Sequence, residues 1–128
     1  DYNKAIEKQE LSTSNLAAAY YNRGIAKNDI KDYKGALSDF NKAIDINPNK
    51  PDYYTFRGNT KSRLNADEYA AISDYNKAIN LDSNNLLAYL NRGISKKRIG
   101  DIKGACSDMR KASSLGDEEA ANWVRKQC

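Results

Sequence analysis

Apolar and polar positions along this chain recur with the period of an α-helix, and the pattern then repeats itself. Tyr20, Gly24 and Lys27 lie at i, i+4 and i+7 on one helical stripe, and Tyr54, Gly58 and Lys61 reproduce it. Ala36, Phe40, Ala43 and Ile44 form the matching stripe of a following helix, as do Ala71, Tyr75, Ala78 and Ile79. Such stripes predict helix pairs that bury one face on each other. Small residues at Gly24 and Ala36 let the two backbones of a pair approach closely, while aromatic rings fill the space between pairs. Asp32, Asp67 and Asp101 stand just before the second helices, where a carboxylate caps free N–H groups and meets the positive end of the dipole. Asn47-Pro48-Asn49 and Asp82-Ser83-Asn84 stop those helices, and Pro51 suits the first turn of the next one.

Two sequence blocks carry the repetition. Tyr-Asn-Arg-Gly at residues 21–24 returns as Thr-Phe-Arg-Gly at 55–58 and Leu-Asn-Arg-Gly at 90–93, with glycines 34 and then 35 residues apart. Ser-Asp-Phe-Asn-Lys-Ala-Ile, from Ser38, returns from Ser73 and more loosely from Ser107. Its alanines, Ala43, Ala78 and Ala112, are 35 and 34 residues apart. Two independent blocks sharing one period define a repeat array. The wider middle spacing puts one extra residue near Asn65-Ala66, in a turn that tolerates it. Asp1 to Ile6 repeats the second block, so residues 1–10 read as the second helix of a repeat whose first helix is missing. An opening at Asp1 without an initiator methionine is what a piece of a longer chain would show.

This pattern resembles the tetratricopeptide repeat. Tyr20-x-x-Arg23-Gly24-x-x-Lys27, then Ala36-x-x-x-Phe40, Ala43 and Pro48, fall where that signature expects aromatic, large, Gly, aromatic, Ala, aromatic, Ala and Pro. Arg23, Arg57 and Arg92 replace the usual leucine, and Lys27, Lys61 and Lys96 the usual tyrosine; threefold recurrence marks a subtype. The resemblance implies an all-α fold, an α-solenoid with a right-handed superhelix of antiparallel helix hairpins. It divides one domain into repeats at 17–50, 51–85 and 86–116, followed by a capping helix over 117–128. In that last helix Ala120, Trp123 and Val124 can cover the final hairpin while Glu118, Glu119, Arg125 and Lys126 face water, as the end of such an array requires.

Composition narrows the chemistry. The 128 residues are 40% hydrophobic and 30% charged, ordinary for one globular domain. No apolar run approaches the roughly 18–20 residues that span a membrane. There is no histidine, which removes the commonest general base and metal ligand. No glycine-rich phosphate loop occurs, and no cofactor or metal site is expected. The acidic clusters Asp67-Glu68 and Asp117-Glu118-Glu119 sit at helix starts, where the dipole accounts for them. An enzyme is not expected.

Cys106 lies about one turn into the last repeat helix and Cys128 ends the capping helix. If these helices run antiparallel, both cysteines fall at a similar level, and a disulfide would favour an oxidising compartment. The alternative is one buried cysteine and one free terminal one, which suits the cytoplasm. Each repeat also pairs an arginine with an aspartate at a constant place, Asp39, Asp74 and Asp108, and an internal ion pair is the simpler reading than a ladder of ligand-binding arginines.

The family resemblance places a ligand groove on the first helices. Carried onto this chain, it gives Tyr21, Asn22, Ile25 and Asn28, then Thr55, Phe56, Asn59, Ser62 and Arg63, then Leu87, Leu90, Asn91, Ile94, Lys97 and Arg98. Tyr21, Ile25, Phe56, Leu90 and Ile94 would be apolar anchors, Asn22, Asn59 and Asn91 would bond a ligand backbone, and Arg63, Lys97 and Arg98 would form a basic end. The competing reading is that tight curvature or a neighbouring chain covers these residues. Family members that grip chaperone C-termini use Lys, Asn and Arg where Tyr21, Ile25, Phe56, Leu87 and Asn91 stand here, so that specificity is not supported. The expected partner is a protein or peptide with apolar and acidic residues, the alternative a homo-oligomer through the uncapped N-terminal helix or groove. Nucleic acid is not expected: the net charge is only +4, and no aromatics interleave with Lys96-Lys97-Arg98.

Overall fold

The structure, a computed structural model, describes residues 2–4 and 12–128. Seven helices follow one another from residue 12: α1 Thr13–Asp29, α2 Tyr33–Ile46, α3 Pro51–Asn65, α4 Glu68–Leu81, α5 Leu86–Arg98, α6 Ile102–Ser114 and α7 Glu118–Gln127. Residues 2–4 are helical; the rest of the helix expected over 1–10 lies outside the described residues. Among the described residues no helix is long and apolar enough to cross a membrane.

Capping fixes where the helices start. The carboxylates of Asp32, Asp67, Asp101 and Asp117 accept from the backbone N–H three residues on, at 2.7–3.0 Å. Ser12 and Asn85 do the same for α1 and α5. Helix α3 lacks such a cap and begins on Pro51, whose missing N–H leaves one fewer donor to satisfy. The hydroxyls of Tyr54 and Tyr89 donate to the carbonyls of Pro48 and Ser83, tying each first helix to the turn before it. The extra residue of the middle repeat lengthens the helix rather than the turn. Helix α3 runs to Asn65, and Ala66 makes the left-handed step, φ 51°, that Lys31 and Gly100 make in the other two turns.

Each helix packs on the next, α1 on α2, α3 on α4 and α5 on α6 most closely, with α7 on α6. The first helices also touch one another, α1 with α3 and α3 with α5, whereas among the described residues the second helices make no comparable contact. An array whose first helices lie closer together than its second helices curves with the first helices inside. The result is an all-α solenoid whose concave wall is α1, α3 and α5.

The core runs along the seams. Ala17, Ala43, Ile44, Tyr53, Tyr54, Ala78 and Ala88 form one buried cluster across the first two junctions. Met109, Ala112 and Ala120 form another at the C-terminal end, with Leu90, Trp123 and Val124 packed against it. Glycine is required where the backbones of a hairpin meet: a Cβ on Gly58 would lie 2.8 Å from the Tyr75 ring and 3.1 Å from the Ala71 carbonyl oxygen. A disulfide joins Cys106, in the first half of α6, to Cys128 after α7.

Candidate functional site

One polar motif is built three times inside the hairpins. Arg23, Arg57 and Arg92 each grip the aspartate of their own hairpin, Asp39, Asp74 and Asp108, through two parallel N–H donors at 2.7–3.0 Å. Lys27, Lys61 and Lys96, one turn further along, approach the same carboxylates at 3.1–3.2 Å. The remaining guanidinium nitrogen reaches out of the hairpin to an asparagine: Asn3, Asn41 and Asn76 accept from Arg23, Arg57 and Arg92. Arg57 and Arg92 thereby bond to the second helix of the preceding hairpin. The aspartates are almost wholly buried. Burial alone would push the Asp39 carboxyl up, but bonds and charges from Arg23 and Lys27 outweigh it and hold the group below its usual range. Burial likewise opposes the charge on Arg57, and Asp74 reverses that. Tyr20, Tyr54 and Tyr89 are each flanked by the ladder arginine and a lysine of the neighbouring second helix, at 5.3–5.9 Å from the ring centre. These arginines are therefore structural.

The concave wall divides into unequal parts. At its N-terminal end Tyr21 and Asn22 border a cleft of about 570 Å³ with Lys50 and Asp52. Tyr21 does not stand free there: its ring packs 4.8 Å from Tyr53, 5.6 Å from Phe56 and 5.9 Å from Phe40. Burial, with Asp52 and Tyr53 nearby, pushes its phenol up. Phe56 belongs to the same aromatic cluster. Ile25 is half-buried on α1, and Arg63 is exposed in the last turn of α3. Thr55, expected on the groove wall, is instead fully buried, and its hydroxyl donates to the Pro51 carbonyl.

Polar groups stitch the first helices together. Asn28 accepts from the Thr60 hydroxyl at 3.0 Å, and Asn59 accepts from Tyr75 and from the Asn91 amide. Glu68, at the start of α4, is buried; Ser62 donates to it at 2.7 Å and Arg98 lies 3.3 Å away. Burial would raise the Glu68 carboxyl, but the hydroxyls of Ser95 and Ser62 and the Arg98 charge bring it below its usual range. Sequence had assigned Glu68 to the helix dipole alone; that role belongs to Asp67, and the tie between Glu68 and Arg98 spans 30 residues.

At the C-terminal end five of the expected groove residues come together. Leu90, Asn91, Ile94, Lys97 and Arg98 form one side of a cleft of about 610 Å³, and Met109, Ala120 and Trp123 help to close it. Ile94 and Leu87 are each 40% exposed, and Lys97 lies over the Trp123 ring. The wall contributed by α7 was missed in the sequence, where Trp123 shows only its capping role.

A model of the tetratricopeptide repeat matches residues 17–50. No curated protein matches the chain by sequence. Among solved structures, the first such domain of Spaghetti (RPAP3), bound to the HSP90 peptide SRMEEVD, is similar at 27% identity and a TM-score of 0.83, over 88% of this chain and 90% of that one. The Arabidopsis OM64 domain is similar at 25% identity and 0.83, over 91% and 100%. The first domain of human RPAP3 is similar at 26% and 0.82, over 88% and 90%. Residues 17–50 thus match the tetratricopeptide repeat in sequence, and the chain as a whole is similar in fold to tetratricopeptide-repeat domains along most of its length.

Proposed function

We propose that this protein binds a peptide segment of a partner along α1, α3 and α5, with its principal contacts at the C-terminal end of that wall. The observation that carries this reading is the exposure of Leu87 and Ile94 on α5, with Ile94 in one cleft with the cations Lys97 and Arg98. Apolar side chains left open on a concave face, next to charges that can pair with a ligand, are what a peptide groove needs. Tyr21 and Phe56, packed edge to face, continue the wall toward the N-terminus with Asn22, Ile25, Asn59 and Arg63. The Spaghetti domain holds a peptide with three acidic residues. Here Tyr21, Ile25, Phe56, Leu87 and Asn91 occupy the places where such grooves carry carboxylate-binding groups, so the ligand favoured is more apolar.

A peptide array probed with the whole chain tests the reading, repeated with Ile94→Glu and Arg98→Glu. Ile94 is substantially exposed, so the fold tolerates its change; Arg98→Glu also takes the cation away from the buried Glu68, so its helicity and melting temperature are measured beside its binding. Peptides that bind the wild type should lose at least about tenfold in affinity with Ile94→Glu. Binding unchanged in both variants places the site elsewhere. Light scattering across concentrations addresses self-assembly through the groove, which would appear as growth in mass that Ile94→Glu abolishes.

A further inference from the structure

The C-terminal cleft has two walls of opposite charge. Its floor is apolar, from Leu90, Ile94, Met109, Ala120 and Trp123. Helices α5 and α7 are both antiparallel to α6, so they run in the same direction on either side of it. The start of α7, with Asp117 and Glu119, therefore lies beside the early turns of α5. Lys97 and Arg98 lie at the other end. Asp117 is occupied in capping Ala120; Glu119 is exposed, and no described residue pairs with it. Arg98 leans on Glu68 but keeps 59% of its side chain exposed, and Lys97 is held over Trp123. From Leu90 to Arg98 the helix rises about 12 Å, the length of about four extended residues.

We infer that this cleft takes a short extended peptide in which apolar side chains are flanked by a base at one end and an acid at the other. The acid pairs with Lys97 and Arg98, the base with Glu119, and the apolar side chains meet Ile94 and Trp123. This deepens the peptide-groove reading and rests on it. It also excludes a ligand: a peptide acidic at both ends meets Glu119, a repulsive element that selects against it. The capping helix is thus half of the binding site as well as the end of the stack.

Trp123 is the single tryptophan of the chain, so its emission reports on this cleft alone. The probes are four acetylated and amidated tetrapeptides: Lys-Leu-Phe-Glu, its reverse Glu-Phe-Leu-Lys, Glu-Leu-Phe-Glu and Lys-Leu-Phe-Lys. Exchanging an attraction for a repulsion at a half-exposed site is worth about fivefold in affinity. One of the first two peptides should therefore bind about fivefold more tightly than either control and shift the Trp123 emission. With Glu119→Lys the preference should pass to the doubly acidic peptide. Controls that bind as tightly as the mixed peptides overturn the inference, as does tight binding that leaves Trp123 unperturbed. If all four fail while other peptides bind the array, this assignment falls and the groove reading stands. If no peptide binds at all, both fall.

Discussion

Around Asp74, two cations and one carboxylate form the arrangement that sets this chain apart from the leucine and tyrosine usual at those places. Arg57 donates twice to Asp74 and Lys61 adds a second charge, with the carboxylate 2% exposed against 14% and 27% for its partners. The buried member is the one that cannot stand alone. Arg57→Leu leaves Asp74 with one cation and no bidentate partner, and should cost about 3 kcal/mol. Lys61→Met removes the more exposed, less directional contact and should cost about 1 kcal/mol. Replacing Arg57, Lys61 and Asp74 together by apolar residues should recover most of the Arg57→Leu loss; urea denaturation of the single and triple variants measures this. Two other buried carboxyls set the acid limit. The carboxyls of Asp39 and Glu68 have folded pKa values below their unfolded ones, so their contribution is complete above about pH 5. It declines as pH falls below about 4, through the folded pKa. The melting temperature should hold between pH 7 and 5 and fall below pH 4. Glu68→Gln should flatten part of that fall; an unchanged slope would show that Glu68 contributes nothing to it.

A hairpin is decided where its two backbones meet, and the three glycines there are not equivalent. Gly58 faces the Tyr75 ring and the Ala71 carbonyl, neither able to retreat, whereas at Gly93 the nearest atom is the flexible end of Met109 at 3.1 Å. Alanine gains about 1 kcal/mol of helix propensity over glycine at either site. Gly58→Ala should nevertheless lose about 1–2 kcal/mol to overpacking, while Gly93→Ala stays close to neutral by thermal denaturation. Contacts of this kind are why the helices could be read from sequence: Gly24 against Phe40, the aspartate caps and Pro51 each act within one hairpin, and periodicity exposes them. The groove was less legible. Whether Thr55 faces out or in, whether Phe56 is free, and what holds Arg98 depend on neighbouring hairpins. The partners involved, such as Asn59 with Asn91 or Glu68 with Arg98, lie about one repeat apart in sequence. The asparagine that links hairpins had a visible signal in Asn3, Asn41 and Asn76. Its meaning appears only once the arginine's third nitrogen is seen to need an acceptor.

Stacked hairpins touch only their neighbours, so stability along the whole molecule should be local in kind. The link from ladder arginine to preceding asparagine strengthens each junction, and it stops at the last repeat, where Arg110 occupies the asparagine's place. Helix α7 is accordingly held by other means: a single fully buried residue, Ala120, the packing of Trp123 and Val124, and the Cys106–Cys128 bond. The bond closes a sequence separation of 22 residues, worth about 3 kcal/mol in chain entropy. Reduction should therefore release α7 first. Hydrogen exchange at its amides should speed up by about two orders of magnitude, while α3 and α4 change by less than about threefold. A uniform acceleration from α1 to α7 would mean that the array opens as one cooperative unit. The contrast carries over to binding, because the C-terminal cleft keeps its second wall only while α7 stays docked. A peptide seated against Trp123 should slow the exchange of α7 in the reduced protein, and one seated at Tyr21 should leave it unchanged.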